Sequence, residues 1–170
     1  AMATRVSEAD KRDHVRELIA GFDTAMLVTR TTEGTIRARP LSIAEKSGDG
    51  TMYFSTAIES GKVHELEKDP HAGVVLQGNG KYVSLTGEAH IQRDRTLIEQ
   101  LWSESWRVWF PKGPTDPSLC LLVFEPHEAD YWDAAGATGL KYFFEMAKAY
   151  VTNTRPESDT DQRHAGHVKL

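Results

Sequence analysis

Apolar residues at Val15, Leu18, Ile19 and Phe22 recur three and four apart, and Ser7 followed by Asp10 precedes them as a capping signal. This spacing predicts an amphipathic helix over 8–20, ended by Gly21. The period then shortens. Residues 25–29 are an apolar run of strand length, Thr32-Glu33-Gly34 is a turn, and 36–45 reads as the returning strand. The cluster Ser47-Gly48-Asp49-Gly50 predicts a second hairpin, leading into a strand at 51–56 rich in β-branched and aromatic types. Ser60 heads a short helical pattern carrying Val63 and Leu66, stopped by Asp69-Pro70. Residues 72–76, Gly78-Asn79-Gly80 and 82–91 read as strand, tight turn and strand. Residues 94–102 return to helix, with Leu97, Ile98 and Leu101 on one stripe.

The stretch 106–117 is irregular, with three prolines and three aromatic residues. Residues 119–124 form an apolar strand, and 129–134 are expected as its partner beyond Pro126. Residues 138–151 are helical in pattern, with Leu140, Phe143, Phe144, Ala147 and Tyr150 on one face. Residues 153–170 read as a polar tail in which His167-Val168-Lys169-Leu170 is able to dock. About six strands in hairpin connection, with helices at the margins, predict a mainly β protein. We expect one domain over 1–152 whose antiparallel sheet curls into a barrel, since parallel units need long crossovers.

Composition narrows the function classes. A chain of 170 residues favours one domain with a real core. A net charge of -5 argues against sequence-independent nucleic-acid binding, which needs a basic footprint. The single cysteine, Cys120, allows neither an intrachain disulfide nor a cysteine-based zinc cluster, and it fits a cytoplasmic setting. No apolar run reaches the length of a membrane helix, so no membrane partner is expected.

Candidate chemistry concentrates in one span. Arg37-Ala38-Arg39-Pro40-Leu41 is followed by Phe54-Ser55-Thr56 and Ser60-Gly61-Lys62. Arg37 and Arg39 are two apart, so on a strand they share a face, where they repel unless an anion sits between them. Solvated surface charges, or ion pairs with glutamates such as Glu45, explain the pair equally well on spacing alone. Pro40 lacks an amide donor, which places its strand at an edge with backbone groups free for a flat hydrogen-bonding ligand. Ser60 reads first as an N-cap. Lys62 in the first helical turn opposes the helix dipole, and a nearby anion would account for it. The set suits a phosphate: rigid guanidinium forks, a point charge, hydroxyls and helix-start amides.

Four tryptophans, Trp102, Trp106, Trp109 and Trp132, are many for this length. Trp102 reads as core, whereas Trp109-Phe110 in the irregular stretch suits either packing or the cap of a pocket or subunit interface. The histidines are scattered and form no ligand set, so no metal is expected. No Gly-x-Ser-x-Gly elbow occurs, Gly78-Asn79-Gly80 opens no helix, and Cys120 reads as a small core residue.

The run Arg37 to Leu41, Tyr53-Phe54-Ser55-Thr56 and Ser60-Gly61-Lys62 resembles the flavin site of the pyridoxamine 5'-phosphate oxidase-like split barrels, in particular their general stress protein branch. Tyr82-Val83-Ser84 leading to Gly87-Glu88-Ala89, Trp109-Phe110-Pro111 and Tyr131-Trp132-Asp133 extend the resemblance over about residues 10–150. It implies a six-stranded split β-barrel, a homodimer, and FMN (or FAD) in a cleft between subunits. By position, Arg37, Ser55, Thr56, Ser60 and Lys62 would hold the phosphate end. The backbone of Arg39, Pro40, Leu41 and Ser42 would face the isoalloxazine, and Trp109 or Phe110, with Trp132, would approach from the partner subunit.

The true oxidases carry a C-terminal tryptophan and a basic pair for substrate phosphate. Here Trp132-Asp133 runs into Ala134-Ala135-Gly136-Ala137, which argues against vitamin B6 oxidation. The expected function is therefore an FMN-dependent oxidoreductase with unassigned substrate and a nicotinamide as one candidate reductant. The alternatives are a flavin-holding buffer or sensor without turnover, and a split barrel binding haem or a deazaflavin.

Overall fold

The computed structural model describes residues 6–133, 144, 146–148, 150–152 and 165–170. Helix α1 spans Glu8–Ala20, and the Ser7 hydroxyl accepts the Asp10 amide hydrogen as its cap. Strands β1 (Thr24–Arg30) and β2 (Ile36–Ser42) form the first hairpin, with Thr29 opposite Arg37 and Leu27 opposite Arg39. The short β3 (Glu45–Lys46) pairs with β4 (Met52–Ala57), and helix α2 follows at Gly61–Lys68. β5 (His71–Gly78) and β6 (Lys81–Gln92) meet at a turn where Asn79 has φ 52° and Gly80 φ 74°. These left-handed values are the ones a two-residue hairpin loop needs. Helix α3 (Arg95–Leu101) is capped by Asp94, and two 3-10 turns, Glu104–Val108 and Gly113–Thr115, carry the chain to β7 (Leu119–Asp133). β8 (Ala165–Lys169) closes the described chain.

All eight described strands lie in one antiparallel sheet of order β2-β1-β5-β6-β7-β4-β3, with β8 added beside β7. The sheet curls into a split β-barrel, as the sequence leads one to expect; β2 and β4 approach without pairing. Phe54, Leu27, Leu76, Leu85, Phe124 and Tyr131 fill its interior, closed at one end by Val15, Leu18 and Ile19 of α1. A smaller cluster of Ile98, Phe110, Leu119 and Leu121 lies on the other face of β4 and β7.

Three expectations change. The strand anticipated over 36–45 is two strands, because the chain crosses the split there. The Ile43 amide donates to Asp23 O on the β1 side and the Ala44 amide to Tyr53 O on β4. Residues 119–124 and 129–134 are not hairpin partners: 119–133 is one 15-residue strand. Pro126 is accommodated at a bulge where Gly87 faces Pro126 and Thr86 faces Glu128, so His127 is the additional residue. The stretch 153–170 is not a tail to its end. Val168 is buried, β8 pairs with β7 from Glu128–Lys169 to Trp132–Ala165, and the Leu170 amide donates to His127 O. The helix expected over 138–151 falls largely outside the described residues, and Phe144, 146–148, 150 and 151 within it are helical.

Candidate functional site

The arginine pair sits where its alternation placed it. β2 ends the sheet order, so one row of its backbone groups has no strand partner among the described residues. The register sets Arg37 and Arg39 on the same side of the sheet as buried Leu27 and Thr29. Arg39 Nη1 donates to the Thr29 hydroxyl, its Nη2 donates to Glu65 Oε2 at 2.9 Å, and Thr29 donates to the same oxygen at 2.6 Å. Arg37 Nη1 lies 3.9 Å from the other oxygen, Glu65 Oε1, within ion-pair range but beyond a hydrogen bond. The anion between the arginines is thus Glu65, only 6% exposed, and not Glu45.

Burial pushes the Glu65 carboxyl up. Hydrogen bonds from Thr29 and Arg39, and the charges of Arg39 and Arg37, outweigh it and hold the group below its ordinary 4.5. A carboxyl lowered on folding contributes stability that is complete above its unfolded value and is lost as pH falls through the folded one. Glu65→Gln should therefore flatten the loss of urea midpoint below pH 4.5, and an unchanged slope would remove this assignment.

α2 supplies the second half. Val63 and Leu66 face the core and Pro70 stops the helix, so its start is held at the end of β4. Ser60 occupies the N-cap position, yet its side chain makes no capping bond; its Oγ lies 3.4 Å from Thr56 Oγ1. Lys62 is half-buried, with no hydrogen bond or ion pair among the described residues. Burial first, then the charge of Arg39, pushes its ammonium down from 10.5, against the opposite influence of Cys120 and Glu65. Two arginines therefore share one carboxylate and Lys62 adds a third positive charge beside them, while the uncapped helix start adds free amides and the positive end of its dipole. Such a surplus favours an anion with several oxygens.

Not every expected residue joins this group. β4 alternates, with Phe54 and Thr56 buried, so Ser55 presents its side chain to the opposite face. Leu41 packs on the core, while Pro40 and Ser42 face outward. Phe110 is a buried member of the smaller cluster, whereas neighbouring Trp109 is 78% exposed. Arg107 holds this segment by donating to Glu104 and by lying 5.7 Å over the Trp102 ring. Trp132 stands on the outer sheet face opposite Tyr82, and both are exposed. Cys120 is buried, its thiol donating to Thr56 O at 3.4 Å. Glu65 and Thr29 are the residues that sequence reasoning missed. The available signal was a glutamate three after Lys62, flanked by the core positions Val63 and Leu66.

The model of the family described as Pyridoxamine 5'-phosphate oxidase like matches residues 10–157. The chain belongs to this family. It is 32% identical over 93 residues to General stress protein 26 of Bacillus subtilis, covering 52% of this chain and 66% of that protein, just under two thirds of its length. A crystal structure of a candidate general stress protein 26 from Jannaschia sp. CCS1 is 25% identical, with a TM-score of 0.70 over 96% of this chain and all (100%) of that one. The general stress FMN/FAD binding protein of Xanthomonas citri shares the fold, with a TM-score of 0.64 and 21% identity over 76% of this chain and 92% of its own. Among the described residues, no helix is long and apolar enough to cross a membrane, and no group of three metal-ligating side chains occurs.

Proposed function

We propose that this chain binds a flavin through its phosphate at the β2–α2 cradle, with FMN the preferred form, and serves as a flavin-dependent oxidoreductase of the general stress type. The observation that carries this reading is the surplus of cations there, with Lys62 half-buried and unpartnered among the described residues. The donor set fits a phosphate monoester. Arg37 and Lys62 would meet its charge, and the Thr56 and Ser60 hydroxyls with the α2 amides would take further oxygens. The unpaired edge of β2, from Arg39 to Ser42, would face the flat hydrogen-bonding part of the cofactor. Membership of the family and the likeness to the FMN/FAD binding protein of Xanthomonas citri support the choice of flavin. A bound flavin would supply the electron or hydride transfer; the chain's own residues would bind, orient and shield it.

The same reading makes the protein a homodimer. Outer-face residues Ile36, Met26 and Val75 are exposed on β2, β1 and β5, and Met26 lies opposite both Pro40 and Val75. A second copy would cover this apolar band and bring Trp109 or Trp132 to a shared cleft. The lone buried thiol suits a reducing cytoplasm, with a nicotinamide as the reductant.

The protein incubated with FMN or FAD and freed of excess ligand should show the flavin absorbance bands, and a colourless product would refute the reading. A haem or deazaflavin spectrum in freshly purified protein would replace the cofactor. Reduction by NADH or NADPH at about 1 per second or faster would establish turnover, and its absence would leave a flavin-holding protein. Met26→Glu should convert the dimer to a monomer in light scattering; a monomeric wild type at micromolar concentration would remove the shared cleft.

A further inference from the structure

We propose that Glu65 is the positioning residue of the phosphate cradle, anchoring Arg39 through Oε2 and drawing Arg37 through Oε1 so that both guanidinium groups stand in place before the anion arrives. The inference rests on the flavin reading above. Its basis is geometric. Glu65 lies one turn beyond Lys62 on α2, so the two share a helix face. Arg39 is largely buried and held at two points, with one nitrogen donating to Thr29 and another to Glu65. Arg37 is 65% exposed and held only by the longer contact to Oε1. Arg39 thus serves as the fixed post, while Arg37 and Lys62 remain available to a ligand.

A carboxylate is costly to bury, and apolar side chains replacing the whole Glu65–Arg39 pair would be tolerated as well or better by the core, whereas loss of Glu65 alone leaves Arg39 unpaired. The carboxylate is also, by Coulomb's law alone, unfavourable to a phosphate bound beside it. Its presence is explained if ordering the arginines outweighs that repulsion. Three cations on flexible stems would otherwise spread apart, and binding would have to gather them.

The two effects have opposite signs, so affinity separates them. Dissociation constants for FMN and for riboflavin, which lacks the phosphate, would be measured by fluorescence quenching. The set comprises wild type, Glu65→Ala, Glu65→Gln, Arg39→Ala and Arg39→Ala with Glu65→Ala. Positioning predicts that Glu65→Ala weakens FMN by about tenfold and riboflavin by less than about twofold. Glu65→Gln keeps one oxygen for Arg39 and Thr29 and should fall between wild type and Glu65→Ala. In the Arg39→Ala background, Glu65→Ala should cost less than in wild type, since only the longer contact to Arg37 is left. Tighter FMN binding in either Glu65 variant overturns the proposal, and so does unchanged binding. Parallel loss of FMN and riboflavin, or an undiminished effect without Arg39, would reduce Glu65 to a structural residue. If Glu65→Ala does not fold, Glu65→Gln decides by the same criteria. A wild type that binds neither flavin overturns the flavin reading and this inference together; a wild type that binds FMN with unaffected variants overturns this inference alone.

Discussion

Gly87→Ala should lower the stability of this protein by about 3 kcal/mol, the upper end of what overpacking costs. A Cβ at this position would lie 2.0 Å from Glu125 O and 2.9 Å from both Glu125 C and Pro126 Cα. All three are backbone atoms of β7, so no side chain can swing aside. The clash falls at the bulge between β6 and β7, the central pair of the sheet and the place where His127 is accommodated. Relief requires the two strands to separate or slip, and a slip by one residue would send each side chain of β7 to the wrong face. For a chain of this size the expected fall in Tm is about 6–12 °C. Thermal unfolding followed by circular dichroism checks it; a shift within 2 °C of wild type (on the order of experimental scatter) would show that the bulge relaxes freely.

Lys62→Ala should weaken FMN binding by about 10- to 150-fold, the loss of one charge-assisted hydrogen bond of about 1.5–3 kcal/mol. Riboflavin affinity should be unchanged, because that ligand has no phosphate for Lys62 to meet. The same substitution should leave thermal stability unchanged or slightly raised. Lys62 has no partner among the described residues and is pushed by its own burial and by Arg39 toward the neutral form, so its removal relieves a repulsion. Affinity gained at the cost of apo stability is the signature of a binding residue. The pH dependence carries a sign as well. A phosphate favours the charged ammonium, so affinity should decline as pH rises through the free protein's Lys62 value, which lies below 10.5. Equal FMN affinity in wild type and variant, measured by fluorescence quenching, would move the phosphate elsewhere.

Local pattern and tertiary contact diverge most at β7 and at Glu65. A proline and a change of pattern at 125–128 read locally as the end of a strand. Only the partner strand shows otherwise, because Gly87 across the ladder makes room for the bulge that lets β7 continue. Glu65 was hidden for a similar reason. Within α2 it is one more charged residue, and its role depends on β1 and β2, more than twenty residues away in sequence, delivering Thr29 and Arg39 to it. Ser60 shows the reverse error of a local rule. Its position is that of an N-cap, but its hydroxyl faces Thr56 and leaves the helix start uncapped.

From its sequence alone this chain determined its helix at 8–20, its hairpin turns, its antiparallel class and the shared face of Arg37 and Arg39, because each follows from periodicity and backbone chemistry over a few neighbouring residues. The tertiary structure decided which carboxylate lies between the arginines, that Lys62 has no counter-ion among the described residues, that Phe110 is core while Trp109 is surface, and that residues 165–169 complete the sheet. These outcomes depend on contacts between segments far apart in the chain, where burial and charge are set by what the fold brings alongside and not by the residue's own neighbours.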